Sequence, residues 1–557
     1  INGLVRPDWS LTAKSYNTNK VYQPLEFKAV KNKKNAFLVK NKLAFLPSTT
    51  YDVAYELVNE EGKVLATGAI DTEVAPADSA TITLDLSAVD ALDAEEEAFI
   101  HFTAKQKVQT PWADAGYVVA EEKLPVKTAT KGMYDLKQLA DFENITVEDA
   151  TSTLTLSNAK FKAEFNKNSG VLTSYTYDDV QLINKPLRLN VFRLPTDNDG
   201  RQSGSWDNMG LRSMTARAKG VEFEKAKDGK TVNVTLNTRY TGQNSTYFDV
   251  QMSFLVCANG VMMVNSFISP SNTGTILPKM GFRLEMPAEM EQFSWFGRGP
   301  WDSYRDRKEA CLPAIYKSTV KEQYEGYNLP QEHGTKQEVR WMSLTNEKGN
   351  GLLFVAPDQM AASAVHFRPE DNYTDRNNRS RHTYQFKTCD NTVVSLDAAT
   401  RGLGNASCGP DVMEKYELKA ANTDFRFLIM PLTKEMNVAK AARVNIPVCQ
   451  SVNCKRSTTG RITMTSSTPQ ATIYYSINDG EWQKYSTSFA HNDACNIKAY
   501  CTAEGLMDSP VMSYDFDVFI NKSGWKLVSV DSQQGGNEAS KAFDNNTSTF
   551  WHTQWGS

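Results

Sequence analysis

Residues 231–240 read TVNVTLNTRY, with valine, valine and leucine at 232, 234 and 236 separated by threonine and asparagine. Alternation of period two places apolar side chains on one face of an extended chain and polar ones on the other. It therefore predicts a half-buried β-strand. The pattern spreads outward from there. Thr153–Leu156 reads as a short strand and Phe161–Tyr177 as a hairpin-like pair. Between about residue 145 and 436 no long helical period intervenes, so these strands predict a large antiparallel two-sheet sandwich. Upstream, Lys20–Val30, Tyr51–Val58, Thr81–Leu86 and Ala98–Ala104 alternate in the same way. About seven such strands between residues 20 and 128 predict a smaller, immunoglobulin-like sandwich. Turn chemistry agrees, with Asn59-Glu-Glu-Gly62, Asp228-Gly229 and Asn478-Asp479-Gly480 at the expected breaks.

Between the two sandwiches, residues 129–144 are polar with only a weak helical period and read as a linker. Residues 445–518 contain the Ile473–Ile477 strand and a hairpin over Gly480–Tyr485, suggesting a second small immunoglobulin-like module. Residues 519–557 are too few to fold alone and read as the truncated start of a further domain. The fold class predicted is all-β throughout.

At 557 residues the chain exceeds one hydrophobic core, and about three to five domains are expected. Hydrophobic residues at 40% and charged residues at 23% are globular values and exclude a disordered or fibrous chain. A net charge of −4 argues against a nucleic-acid partner, because such binding needs clustered cations. The basic run Lys31–Lys34 lies between strands and reads as a solvated turn. No apolar stretch reaches the roughly 18 residues that span a bilayer. The richest, Gly351–Val365, is broken by Pro357, Asp358 and Gln359. The first residue is Ile1, and the chain reads as a piece of a longer protein. Of the eight cysteines, Cys449, Cys454, Cys495 and Cys501 crowd one region. Their spacing matches no zinc pattern, and three pairings are open. One or two stapling disulfides in an exported protein, periplasmic, secreted or at the cell surface, are expected.

Several segments resemble, in order, the C-terminal half of the large β-galactosidases of glycoside hydrolase family 2. INGLVRPD at residues 1–8, followed by KVYQP at 20–24, resembles the exit from that family's catalytic barrel, which assigns residues 1–19 to it. Arg193–Gly200 (RLPTDNDG), Phe296–Lys308 (FGRGPWDSYRDRK), Leu329–Gly334 (LPQEHG), Val365–Asp371 (VHFRPED) and Leu396–Gly404 (LDAATRGLG) are similar to blocks of its fifth domain. The resemblance assigns 20–128 to the fourth domain and 145–436 to a supersandwich of the galactose-mutarotase type. Residues 445–518 resemble the small sandwich appended to chitobiase-type enzymes, and Ala542–Trp555 the start of a discoidin domain.

The resemblance implies a retaining exo-β-galactosidase acting on terminal non-reducing β-D-galactose. Two carboxyl groups about 5–5.5 Å apart would do that chemistry. In the family both lie on barrel strands, which the resemblance places before Ile1, so no catalytic residue is assigned here and this chain alone is expected to be inactive. Asn2 aligns with the family's asparagine that ligates sodium and contacts galactose. The parent would use sodium and magnesium, while no ion is expected in this chain. Cys408, in Gly404-Asn-Ala-Ser-Cys-Gly-Pro410, stands where many relatives have a tryptophan platform for the sugar. This is a departure, because a cysteine has no aromatic face. The expected partner is a β-galactoside or a galactose-containing glycan, with a homo-oligomeric parent.

Other clusters carry competing readings. Arg298, Asp302, Arg305, Asp306 and Arg307 are either a sugar-binding patch or, the reading favoured here, ion pairs that hold loops. Asp197 and Asp199 lack the downstream chelating glutamate of a calcium loop and read as structural. His333 beside Glu332 and His366 near Glu370 would be acid and base if the chain were a mutarotase, a reading that fold alone does not justify. Trp482, Tyr485, Trp551 and Trp555 are candidates for sugar stacking, with Trp551 read as core and Trp482 left open. A stand-alone carbohydrate-binding or scaffold protein is the alternative from another class.

Overall fold

The computed structural model describes residues 3–374, 382–522, 524–544, 546 and 549–556. It divides into two compact units, residues 1–446 and 447–557.

The first unit opens on a helix, Ala13–Tyr22, capped at Thr12 by reciprocal bonds with Ser15. The reading of Lys20–Val30 as one strand is thereby corrected. Lys20–Tyr22 finish the helix, Gln23 is forced to an extended conformation (ψ 139°) by the following Pro24, and the strand begins only at Leu25. Seven antiparallel strands then form two sheets. Leu25–Ala29, Ala36–Asn41 and Ser79–Thr83 make the smaller one. Val64–Ala69, Tyr51–Asn59, Ala98–Gln106 and Val118–Lys127 make the larger. Inward residues of both share one core, in which the rings of Phe27 and Phe102 stack 4.9 Å apart. The stretch read as a linker is fastened to its surroundings. Gly132–Met133 pairs in parallel with Val444–Asn445, and a 3-10 turn at Leu136–Asp141 is capped by the Asp135 carboxylate, which accepts from Lys137 N at 2.9 Å.

The large sandwich runs from Thr146 to Leu432. Thr231–Thr241 alternates between buried and half-buried positions along its length. It pairs with Thr215–Lys225 on one side and Tyr247–Cys257 on the other. By contrast Met262–Pro270 is buried on both faces over most of its length and shows no clean alternation, while Tyr247–Cys257 alternates in sequence as far as Phe254 yet is buried on both faces from Val250 on. Gly351–Val365 is the corner strand. Its first half, Gly351–Val355, pairs with Thr423–Leu432, and its last part, Ala361–Val365, pairs with Thr392–Thr400. Pro357, Asp358 and Gln359, which interrupt its apolar run, sit at the outward bend where it changes partner.

The second unit has a three-stranded sheet (Asn453–Arg456, Arg461–Thr465, Phe489–Ala490) and a four-stranded one. The latter runs in the order Gln483–Lys484, Thr472–Ile477, Cys495–Thr502, Met512–Phe516. Its core includes Cys449, Cys454, Cys495 and Cys501, none of them in a disulfide, with Cys449 hydrogen-bonded to Cys501. The expected disulfide staples are thus corrected. The four pack as small apolar residues, and burial pushes the Cys449 thiol to about 11 and that of Cys454 to about 12. After Phe516 the described residues contain no strand, only a 3-10 turn at Ala539–Ala542. Trp551, read as core, is 44% exposed, because no sheet lies there for it to be buried against. Among the described residues, no helix is long and apolar enough to cross a membrane.

Phe254 lies at 0% exposure in the large core, edge-on to Phe165. Phe254→Ala should lower the urea unfolding free energy by about 3–5 kcal/mol.

Candidate functional site

Three ionised side chains without solvent contact organise one end of the large sandwich. Asp199 accepts from Arg193 Nη2 at 2.8 Å and Nε at 3.2 Å, from Arg401 Nη1 at 3.1 Å, and from Thr196 N and Oγ1 at 2.9 and 3.0 Å. Arg193 spends its remaining donors on the carbonyls of Arg401 and Gly402. Arg401 reaches on to Asp411, at 2.7 Å, and to Glu417. Burial alone would lower the affinity of the Arg193 guanidinium for its proton, but the Asp199 carboxylate outweighs it and raises the pKa. Two chain segments 200 residues apart in sequence are clamped together in this way. Asp199 is structural, as expected from sequence.

A second clamp holds the loop after Arg401. The Asp306 carboxylate accepts from Leu403 N at 2.9 Å and Gly404 N at 2.8 Å. The Asn198 amide donates to Gly404 O at 2.6 Å and accepts from Ser407 N at 3.0 Å. Gly404 is in the left-handed region (φ +65°), and a Cβ there would meet Val412 at 2.8 Å, so the turn requires glycine. Asn405, Ser407 and the exposed Cys408 are thereby presented along one side of a cleft of about 250 Å³. The other walls come from Asp197, Asn198, Arg307, Tyr327, Gln331, Glu332 and Lys14. Four sequence blocks, at 193–200, 296–308, 329–334 and 396–410, thus converge on a single depression.

The patch Arg298–Arg307 resolves as the loop-holding reading proposed. Arg298 pairs with Glu338 at 2.7 Å, and Arg305 donates to the carbonyls of Lys415 and Glu417. Arg307 donates to Asp302 at 2.9 Å. Burial pushes the Asp302 carboxyl up, yet the adjacent Arg307 more than offsets this and holds it below the usual range. Of the five, Arg307 alone also lines the cleft. Lys14 and Tyr327 were missed in the sequence. Lys14 sits on the N-terminal helix with its ammonium 5.7 Å from the centre of the Tyr327 ring. Burial, then the charge of Arg307, lowers its pKa. Tyr16, on the same helix, stacks on Trp301 at 3.6 Å. No local signal in a short polar helix marks these contacts with residues some 300 positions away.

Neither histidine pair is assembled as a mutarotase would need. His333 is 2% exposed, donates Nδ1–H to Gln331 O (2.8 Å), and is surrounded by the rings of Phe367, Tyr324, Tyr327 and Phe386. His366 binds Glu291 at 2.7 Å, while Glu370 pairs with Arg283. Glu332, which lines the cleft, is 8% exposed and accepts from Thr335 at 3.0 Å. Asn2 lies outside the described residues, so its predicted sodium and galactose contacts have no geometry here. Among the described residues, no group of three or more His, Cys, Asp or Glu side chains is placed to hold a metal.

Two outcomes follow from this geometry. Cys408 is the exposed thiol, whereas Cys257, Cys311, Cys389, Cys449 and Cys454 are pushed to about 11 or 12 by burial. Iodoacetamide on the native chain should therefore label Cys408 first, read by peptide mass spectrometry. His333 has its pKa lowered by burial. Below its unfolded value of about 6.5 the unfolded chain takes a proton that the folded chain refuses, so stability is lost as pH falls from there toward the folded value. His333→Phe, which suits the aromatic surroundings, should flatten that acid limb in urea titrations at pH 5 and 7.

Residues 157–429 match the family model described as β-galactosidase small chain, and residues 37–127 match β-galactosidase, domain 4. Curated relatives include the β-galactosidase of Priestia megaterium, 29% identical over 72% of this chain and 38% of that protein. That of Lactobacillus delbrueckii subsp. bulgaricus is 27% identical over 77% of this chain and 41% of its own length. The chain spans about two-fifths of the length of these relatives. Among solved structures, galactose 1-epimerase of Lactobacillus acidophilus NCFM aligns with 53% of this chain and 98% of its own, at 9% identity and a TM-score of 0.27, too low to bear on chemistry. With two family models meeting the two sandwiches in order, the chain belongs to the large β-galactosidases, of which it carries the fourth-domain and small-chain part.

Proposed function

We propose that this chain is the non-catalytic C-terminal region of a retaining β-galactosidase that releases terminal non-reducing β-D-galactose. In this reading the cleft at Cys408 is one wall of the active-site pocket, and the two reacting carboxylates lie on a barrel outside this chain. The observation that carries it is the convergence of four distant segments on one cleft lined by amide, hydroxyl, thiol, ammonium and guanidinium groups together with the carboxyls of Asp197 and Glu332. Such groups hydrogen-bond sugar hydroxyls and position them. The charges that hold the cleft are turned inward on one another, which suits a rigid wall better than a reacting centre.

The wall meets the leaving group rather than the galactosyl ring, by the family resemblance at position 408. There the flat platform of many relatives is replaced by a small thiol, which widens the cleft and removes stacking. The second unit, and Asn2 as a sodium and galactose ligand, are further parts of the same proposal, with a galactose-containing glycan as the partner.

Asp306 tests this reading in the full-length enzyme, because it holds the Cys408 loop without lining the cleft. Asp306→Ala frees Leu403 N and Gly404 N and should cut kcat/KM on a disaccharide substrate about tenfold, through KM. An aryl galactoside with a small leaving group should lose less. Equal kinetics for wild type and variant on both substrates would contradict the wall.

A further inference from the structure

The second unit places aromatic residues on both faces of its four-stranded sheet. Ile473, Tyr475 and Ile477 turn into the core together with Cys495, Ile497, Ala499 and Cys501. Tyr474 and Tyr500 are therefore on the opposite, outward face by the two-residue period. They are directly paired across the strands Thr472–Ile477 and Cys495–Thr502, with ring centres 5.4 Å apart and planes within 20°. Trp482, in the turn before Gln483–Lys484, meets Tyr500 edge to face at 4.8 Å and 81°. The indole is thus fixed in place, yet it remains 45% exposed.

Cross-strand pairing explains two tyrosines, which stabilise a sheet face by a fraction of a kcal/mol. It does not explain a third, larger ring propped on them in solvent. Polar residues continue the same face. Lys498, two residues from Tyr500, pairs with Asp479 at 2.6 Å. Asn496, two further on, donates to Ser513 at 2.8 Å and Asp515 at 2.7 Å. At about 3.4 Å per residue, the track from Tyr500 to Asn496 is about 14 Å long, the reach of two to three linked hexopyranoses. An aromatic shelf continued by hydrogen-bonding side chains matches a sugar chain, whose rings offer C–H groups on their faces and hydroxyls at their edges. A protein partner would call for a broader apolar area than one indole and two half-covered phenols.

We infer that this outward face, centred on Trp482 and Tyr500, binds a β-galactosyl oligosaccharide or polysaccharide and holds it near the enzyme. The choice of galactose rests on the proposed function; the aromatic shelf does not. The test is affinity electrophoresis of the full chain in gels containing soluble β-1,4-galactan, β-glucan or no polysaccharide. Galactan should retard the chain. Trp482→Ala and Tyr500→Ser should each reduce retardation at least tenfold in apparent affinity, with unchanged circular dichroism, and Trp482→Tyr should restore part of it. Unretarded migration in galactan, or a Trp482→Ala variant retarded like wild type, would overturn the proposal. Retardation by β-glucan alone would overturn the galactose assignment while leaving the Cys408 cleft untouched. Conversely, galactan binding that persists when Asp306→Ala proves kinetically silent would sink the cleft reading and spare this one.

Discussion

Arg193, Asp199 and Arg401, each at most 1% exposed, form a buried charge cluster on which the rest of the large sandwich's cleft depends. Burying ions is costly, and the cluster is held because two chain segments, 193–199 and 401–417, supply a partner to each charge. Thr196 and the carbonyls at 401 and 402 complete the shell, and Asp411 and Glu417 extend it. Removing Asp199 would leave Arg193 buried without its carboxylate partner, a loss of about 3–5 kcal/mol in comparable clusters. A hydrophobic plug would hold the two segments as firmly. What charges add is direction, because the fork of each guanidinium fixes the angle at which the loops leave the sheet.

From that clamp the geometry passes outward in steps. Arg401 sets the start of the loop, Asp306 and Asn198 pin its next residues, and Cys408 is left at the surface. The N-terminal helix closes another side through Tyr16 on Trp301 and Lys14 near Tyr327. A cleft built in this way is a fixed surface for a substrate, and the inward pairing of its strongest charges leaves mainly hydrogen-bonding groups to face a ligand. That division of labour agrees with membership in a family whose chains are about twice as long as this one.

Much of this was legible in the sequence wherever one face of a strand meets solvent. Thr231–Thr241 alternates because it is half-buried, and Pro357-Asp358-Gln359 marks a corner because a polar break in an apolar strand must point outward. The sequence blocks around Arg193, Arg298 and Arg401 pointed to a common region, although their spacing alone could not say that they meet. Legibility failed where the deciding force was long-range. The helix at Ala13–Tyr22 has no apolar stripe, and its contacts are with residues some 300 positions away. The clustered cysteines suggested staples, but a small sandwich core accepts thiols as apolar filler. Trp551 looked like core because tryptophan usually is; among the described residues no strand lies beside it, and it stays 44% exposed.

The central claim is that the reacting carboxylates are not in this chain. Hydrolysis of 4-nitrophenyl β-galactoside by the purified chain measures it most directly, because an aryl leaving group needs little help from the acid and exposes even a weak nucleophile. The account predicts release of nitrophenol no faster than in the buffer blank. Turnover above that blank, abolished by Asp197→Asn or Glu332→Gln in the cleft, would contradict it.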